Sequence, residues 1–177
     1  MKFTKEDARK RVLNCAKQYQ QNLLHKKLLI IFRERQDNSI RFIEIIFHER
    51  NYQHLTGLEL TNTEGKIPQH QSKNFYRKCI ENKLGLNDVD KVMGGVNFCL
   101  GLSRENDVFI PSSALLEDIK KLTSSPSQVL AIFEKDIDSE LYSTVKHVAK
   151  GLNLHHLILP PEISSKISLE HYVYRGK

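Results

Sequence analysis

The sequence predicts an α+β fold, in which a mainly antiparallel β-sheet carries an N-terminal helix and further helices packed on one side. Three observations support this prediction. The N-terminal segment has helical periodicity, pairs of apolar runs are joined by short polar breaks, and neither a linker nor an internal repeat divides the chain. Short breaks between apolar runs are typical of antiparallel hairpins. With 177 residues, we expect a single domain spanning residues 1–177.

The first elements follow from local patterns. Thr4, with Asp7 three residues later, resembles a capping box at the start of a helix. The apolar stripe of this helix recurs at steps of three and four and consists of Ala8, Val12, Ala16, Tyr19 and Leu23. "KLLIIFRER" and "IRFIEIIF", separated by "QDNS", then predict a hairpin over residues 28–48. Because both faces of its second strand are largely apolar, we expect that strand to be central.

The later elements are predicted in the same way. Ser72 and Gly85 are start and stop signals for a second helix, "SKNFYRKCIENKLG". The remaining predictions are a hairpin of "VNFCLGLS" and "DVFIPSS", a short helix "SSALLEDIKKL", strands "VLAIFEK" and "ELYSTVKHVAKG", and an irregular tail containing "LPPEI".

Composition favours a globular protein of a reducing compartment. Hydrophobic residues make up 40% and charged residues 27% of the chain. The longest strongly apolar run, residues 28–32, is too short to span a bilayer, and the N-terminus has no apolar signal segment. Cys15, Cys79 and Cys99 are odd in number and widely separated, which fits neither a disulfide framework nor a metal knuckle. We therefore expect a cytoplasmic protein without a membrane partner.

The net charge of +6 is concentrated at the N-terminus. Residues 1–35 contain ten Lys or Arg and three acidic side chains. Such a basic segment suits a polyanion, because phosphates neutralised by lysine and arginine release their counterions. A solvated, lysine-rich amphipathic helix explains the same charges.

Several kinds of chemistry are excluded by the motifs that the sequence lacks. It contains no Walker loop, dinucleotide fingerprint, HExxH or GxSxG motif. "MGGVNFCLG" does not have the spacing of a phosphate loop, and the pair His155 and His156 lacks the additional ligands of a zinc site. We therefore expect no metal and no cofactor.

Three groups of polar residues remain as site candidates. His54 is a possible general acid or base, and Thr56 shares its face if "HLTG" is extended. Lys73 and Arg77 lie one turn apart near a helix start, which favours anions. The third group, on one face of the last predicted strand, consists of Tyr142, Thr144 and Lys146. For each group taken alone, a turn, a solvated helix face or a solvent-facing strand is the simpler explanation.

In order along the chain, "HLTG", "NFYRKCIENKL", "NFCLGLS", "FIPSSALLEDI", "VLAIFEK" and "LYSTVKHVAKG" resemble a known family over residues 28–151. It is the fourth phage-type nuclease group of the barnase–EndoU–colicin–RelE superfamily. The resemblance implies a helix with a four- or five-stranded antiparallel sheet and metal-independent RNA cleavage by 2′-hydroxyl attack. It also implies a phage or mobile-element origin and a role as a toxin or host-interference factor.

The resemblance assigns roles to residues of this chain. His54 would be the acid or base, Lys146 would stabilise developing charge, and the phosphate contacts would come from Thr56 and Thr144. The neighbouring nucleotides would be bound by Lys73, Tyr76 and Arg77. A second acid or base is unmatched, because strict alternation puts His147 on the face opposite Lys146.

That gap leaves an alternative open. The same scaffold without catalysis would be a nucleic-acid- or nucleotide-binding module, or a protein inhibitor of a defence system. The expected partners are RNA and, in addition, a cognate antitoxin or a host protein.

Overall fold

The computed structural model describes residues 4–56, 89–168 and 173–174. The helices among these residues are α1 (Lys5–Asn22), α2 (Glu49–Thr56), α3 (Ile119–Leu122) and α4 (Pro161–Ser164). The strands are β1 (Lys26–Arg33), β2 (Ile40–Ile46), β3 (Lys91–Gly94), β4 (Cys99–Glu105), β5 (Val108–Leu115), β6 (Gln128–Asp136), β7 (Thr144–Val148) and β8 (Val173–Tyr174). An N-terminal helix with a mostly antiparallel sheet confirms the predicted α+β class. The helix predicted at residues 72–85 lies outside the described residues.

The chain divides into two compact units. The first comprises Met1–Leu24, Phe47–Arg104 and Ile110–Leu122, and the second comprises His25–Ile46, Glu105–Phe109 and Thr123–Lys177. The single-domain assignment stays a prediction. In the part of the chain that the structure describes, no helix has both the length and the apolar character that crossing a membrane requires.

In the first unit, α1 begins as the sequence predicts. The backbone N–H of Asp7 donates to Thr4 Oγ1 at 3.2 Å, and the backbone N–H of Thr4 donates to Asp7 Oδ2 at 2.9 Å. This reciprocal pair is the capping box. Val12 and Tyr19 on the predicted apolar stripe are buried. The Tyr52 hydroxyl of α2 donates to Val12 O at 2.5 Å, and the rings of Tyr19 and Tyr52 lie 5.2 Å apart.

Helix α2 includes His54 and Thr56, so the extended conformation that would place them on one face is not present. The backbone N–H of His48 donates to Asn51 Oδ1 at 2.7 Å, which satisfies an amide just before the helix. Asn51 is buried with 1% exposure, and the Tyr19 hydroxyl donates to the carbonyl of His48 at 2.8 Å. The sequence concealed this start because histidine is not among the preferred N-cap residues.

The glycine-rich segment "MGGVNFCLG" forms a tight hairpin in the first unit. Strand β3 pairs antiparallel with β4, and the Gly95 N–H donates to the Phe98 carbonyl at 3.0 Å. A Cβ atom at Gly94 would clash with the Phe98 carbonyl oxygen. Glycine at position 94 therefore serves close backbone approach in a hairpin.

The second unit is built on the predicted hairpin. The strand order is β2-β1-β6-β7-β8, with antiparallel pairs from β2 to β7 and a parallel pair between β7 and β8. Phe109 at the beginning of β5 pairs in parallel with Ile45, so β2 has a neighbour on each side. The prediction that β2 is central is confirmed.

One face of this sheet and the C-terminal segment form the core of the second unit. Tyr142 and Ile167 form a parallel bridge, and the Tyr142 N–H donates to the carbonyl of Lys166 at 2.8 Å. The buried core side chains are Leu29, Ile31, Leu130, Ala131, Phe133, Tyr142, Val145, Leu154, Ile163 and Ile167. Ile163, with 0% exposure, anchors the short helix α4 on the sheet.

Two further predictions need correction. The tail is not irregular, because it contains a 3₁₀ turn (Leu154–His156), α4 and β8. The helix predicted from "SSALLEDIKKL" is limited to α3, because β5 continues through Leu115. Leu115 is buried in the strand, so tertiary packing overrides local helix propensity there.

Candidate functional site

The predicted site residues divide between described and undescribed parts of the chain. Lys73, Tyr76 and Arg77 lie outside the described residues. His54 and Thr56 belong to α2, and only their backbone is described. Residues two apart in a helix do not share a face. The reason given for pairing His54 with Thr56 is therefore wrong, whereas their individual roles stay predictions.

Strand β7 holds the other two predicted catalytic residues, and it contains a β-bulge. Thr144 pairs with Glu134, Val145 with Phe133, and His147 with Ile132. Lys146 is thus the extra residue on β7. Since paired residues share a face and Ile132 and Glu134 are two apart on β6, His147 lies on the same face as Thr144.

The bulge corrects the prediction that His147 lies opposite Lys146. Val145, with 0% exposure, and Val148 pack into the core on the other face. Lys146 and His147 are exposed and Thr144 is partly buried. We call Thr144, Lys146 and His147 the β7 polar face. A hydroxyl, an ammonium and an imidazole therefore lie on one face, whereas strict alternation of side chains would have placed the imidazole on the other face.

Glu134 lies under this face. Its side chain is only 10% exposed, and the Lys146 Nζ lies 3.1 Å from Glu134 Oε2 with 43% of its own side chain exposed. The distance is that of an ion pair, although Oε2 receives no well-aligned hydrogen bond from the described residues. Glu134 therefore fixes the position of the Lys146 ammonium electrostatically, while the exposed part of Lys146 faces solvent. Glu134 cannot be recognised from the sequence alone, because nothing in "VLAIFEK" marks one carboxylate as buried.

A second polar cluster lies on the opposite face of the same sheet, around Glu44. The Tyr142 hydroxyl donates to Glu44 Oε1 at 2.7 Å, and the Lys27 Nζ lies 3.4 Å from the same oxygen. The Lys166 Nζ lies 3.4 Å from Glu44 Oε2. The Glu44 side chain is only 11% exposed. Lys135 completes the cluster with its Nζ 5.1 Å from the centre of the Tyr142 ring.

The electrostatics of this cluster favour an ionised carboxylate. Burial by itself raises the pKa of Glu44, but the hydrogen bond from Tyr142 and the charges of Lys27 and Lys166 outweigh it, so the pKa is lowered. Burial and the neighbouring carboxylate raise the pKa of Tyr142, which stays protonated and donates. Burial, reinforced by the charges of Lys27 and Lys166, lowers the pKa of Lys135.

The arrangement of side chains bears on metal binding as well. Across residues 4–56, 89–168 and 173–174, no group of three or more His, Cys, Asp or Glu side chains is placed to hold a metal ion. What the β7 polar face offers is an imidazole that can transfer protons, an ammonium that can stabilise charge, and a hydroxyl that can orient an oxyanion. These groups define a candidate acid–base site on an α+β scaffold.

The comparison with protein families agrees with this class. Residues 11–95 match the family described as phage-Barnase-EndoU-ColicinE5/D-RelE like nuclease4. The match covers slightly less than half of the chain, from α1 to the end of β3, and it confirms the family resemblance seen in the sequence. The family is a nuclease of the barnase–EndoU–colicin–RelE type, which supports a nuclease function. No match was found among curated proteins or among solved structures.

Proposed function

We propose that this chain is a metal-independent endoribonuclease and that its reaction uses the β7 polar face. The observation that carries the proposal is the bulge in β7, which adds His147 to the face that holds Thr144 and Lys146. The sequence alone offered no second acid or base beside His54. A nuclease family and an imidazole next to an ammonium together favour catalysis over binding alone.

In the proposed reaction, the 2′-oxygen of RNA forms a bond to the adjacent phosphorus while the bond to the 5′-oxygen breaks. A base accepts the 2′-hydroxyl proton, and an acid donates a proton to the departing 5′-oxygen. The products are a 2′,3′-cyclic phosphate end and a 5′-hydroxyl end. Imidazole suits either proton transfer because it exchanges protons near neutral pH. His147 supplies the imidazole for one of the two transfers, and the acid or base role of His54 stays a separate prediction from the sequence.

Lys146 and Thr144 are assigned to the phosphate. The Lys146 ammonium stabilises the additional negative charge of the phosphorane-like transition state, and the Thr144 hydroxyl donates to a non-bridging oxygen. Glu134 is a positioning residue, because its contact with Lys146 at 3.1 Å holds the ammonium while its own side chain stays buried. Substrate specificity for RNA follows from the nucleophile, which DNA lacks.

The test is incubation of the full chain with total tRNA and rRNA in excess EDTA. We expect cleavage that leaves 2′,3′-cyclic phosphate ends and that His147→Ala reduces about 10²- to 10⁴-fold. His156→Ala is the matched control, since His156 is also exposed and lies outside the β7 polar face. His54→Ala, made separately, tests the role predicted for that residue.

The outcomes separate this proposal from the alternative. Cleavage that requires an added metal ion would overturn metal independence. RNA that is bound in low salt and never cut by the folded protein would instead favour a nucleic-acid-binding module. Equal activity of the His147→Ala and His156→Ala variants would remove the β7 polar face from the mechanism.

The biological role that we propose is that of a toxin or host-interference factor of phage or mobile-element origin. Its support is the phage-type family matched by residues 11–95. Expression in bacteria should arrest growth, and expression of His147→Ala should not. Rescue of growth by a neighbouring gene product would identify a cognate antitoxin. Unimpaired growth with active enzyme in the cell would contradict a toxic role.

A further inference from the structure

The Glu44 cluster has more positive than negative charge. Three ammonium groups, those of Lys27, Lys135 and Lys166, lie around the single buried carboxylate of Glu44. Both Glu44 oxygens are already engaged, Oε1 by the Tyr142 hydroxyl and Lys27 and Oε2 by Lys166. One carboxylate compensates only one of the three cations.

Lys135 has neutral partners for its ammonium. Its Nζ donates to the carbonyl of Ser139 at 2.6 Å and to the carbonyl of Glu140 at 2.9 Å, and it lies over the Tyr142 ring. The Glu140 carboxylate attracts Lys135 as well, but Glu140 is exposed and water screens its charge. Carbonyls and a ring face stabilise a cation without cancelling its charge.

The three lysines repel one another. Burial lowers the pKa of Lys135, the charges of Lys27 and Lys166 lower it further, and the charges of Glu44 and Glu140 offset this shift only in part. Partial burial makes these interactions stronger than they would be in water. An anion placed among the three ammonium groups would relieve the repulsion.

The cluster is open enough to admit such an anion. The side chains of Lys27 and Lys166 are 19% and 36% exposed, and Lys135 is partly buried. The lysines come from β1, β6 and the segment after α4, so their backbones are fixed by the sheet and by the C-terminal core. Lysine provides a compact charge with three donors, which suits a phosphate group.

We propose that Lys27, Lys135 and Lys166 form a binding site for one phosphate group, with Glu44 and Tyr142 holding the lysines in place. The site is distinct from the β7 polar face, because Glu44 and Glu134 lie on opposite faces of the sheet. Its ligand is either free phosphate or the terminal phosphate monoester of an RNA chain. Both present the same doubly charged group to the lysines.

The test is binding of inorganic phosphate to the full chain by calorimetry, with chloride at the same ionic strength as the reference. We expect Lys135→Met to weaken phosphate binding at least about tenfold, the loss of one charge-assisted hydrogen bond. Lys150→Met is the matched control, because Lys150 is an exposed lysine of the same unit and outside the cluster. Glu44→Gln should bind phosphate several-fold more tightly, since it removes the one competing negative charge.

In a binding site, Lys135→Met weakens phosphate binding and Glu44→Gln strengthens it. In a purely structural cluster, neither variant would change the affinity for phosphate specifically. No phosphate binding by the folded wild-type chain, or equal binding by the Lys135→Met and Lys150→Met variants, would overturn the proposal. A short oligoribonucleotide with a 5′-phosphate, compared with its 5′-hydroxyl form, separates the two sources. We expect the His147→Ala variant to bind phosphate as tightly as the wild type. This result would show that the phosphate site is independent of the proposed cleavage site.

Discussion

Glu44 and Glu134 offer a direct comparison, because they oppose consecutive residues of β1. Glu44 pairs with Leu29 and Glu134 pairs with Leu28, so the two carboxylates lie on opposite faces of one sheet. Glu44 has a tyrosine hydroxyl and two ammonium groups around it. Glu134 has the single ammonium of Lys146, which is more exposed than either lysine at Glu44.

The difference shows how a carboxylate on a β-strand can form two kinds of polar site. A buried carboxylate with several donors is fixed in place and stabilises the fold only as long as all of its partners remain. A buried carboxylate with one partner at the surface attracts the charged end of that partner, while the rest of the partner's side chain stays in contact with solvent. The larger number of partners therefore favours a structural or binding role at Glu44, whereas the exposed side chains of the β7 polar face have the accessibility that a reaction on a polymer requires.

The largest expected difference is in stability. Glu44→Ala leaves the buried Tyr142 hydroxyl and two partly buried lysines without their carboxylate, and we expect it to lower the free energy of unfolding by about 2–3 kcal/mol. Glu134→Ala should cost about 1 kcal/mol or less, because Lys146 can turn to solvent. Urea unfolding of the two variants measures both values. Equal losses would remove the distinction between the clusters.

Lys146→Met should affect activity more than stability. The variant leaves the buried Glu134 carboxylate without its cation, so we expect a loss of about 1–3 kcal/mol in the free energy of unfolding. RNA cleavage should fall about 10²- to 10³-fold through the lost stabilisation of transition-state charge. Single-turnover cleavage rates and urea unfolding on the same sample test this. Loss of stability in proportion to loss of activity would indicate a structural role for Lys146.

The Tyr142 hydroxyl tests the enclosed cluster alone. Tyr142→Phe removes a donor to a charged group, and we expect a loss of about 2 kcal/mol in the free energy of unfolding. Tyr19→Phe is the control, because the Tyr19 hydroxyl donates to the neutral carbonyl of His48 and should cost about 1 kcal/mol. A Tyr142→Phe variant as stable as the wild type would contradict the role of this hydrogen bond.

The contribution of the Glu44 cluster to the free energy of unfolding should decrease in acid. Because the folded-state pKa of Glu44 is lowered from its ordinary 4.5, its contribution is present above that pH and is lost as pH falls through the lower folded-state value. Asp37, whose pKa Ser39 and Arg41 lower to about 2, adds acid dependence to wild type and variants alike. The slope of unfolding free energy against pH below 4.5 should therefore be shallower in Glu44→Gln. Identical slopes would contradict the assignment.

Local sequence patterns were sufficient for much of the fold. Short-range residue preferences predict three features, and the structure contains all of them. They are the capping box of Thr4 and Asp7, the hairpin of β1 and β2, and the strand β6. The start of α2 was missed because it depends on Asn51 bonding back to His48 beneath the Tyr19 hydroxyl. Residue periodicity does not reveal a helix start that depends on such hydrogen bonds.

The candidate site was predictable only in part. Thr144 and Lys146 were chosen from their polarity on the last predicted strand, and their catalytic roles stay predictions along with those of His54 and Thr56. His147 was placed on the wrong face because alternation assumes a regular strand. One extra residue between Val145 and His147 shifts the register and carries the imidazole to the other side.

The fold class, the N-terminal helix, the central hairpin and the resemblance to a nuclease family follow from the sequence alone, because they depend on local preference and on motif order. The bulge and the two carboxylate clusters depend on tertiary contacts. Glu44 meets Tyr142 across 98 residues and Lys166 across 122 residues. Such pairs are set by strand register and by the packing of the C-terminal segment, and no short stretch of sequence encodes either one.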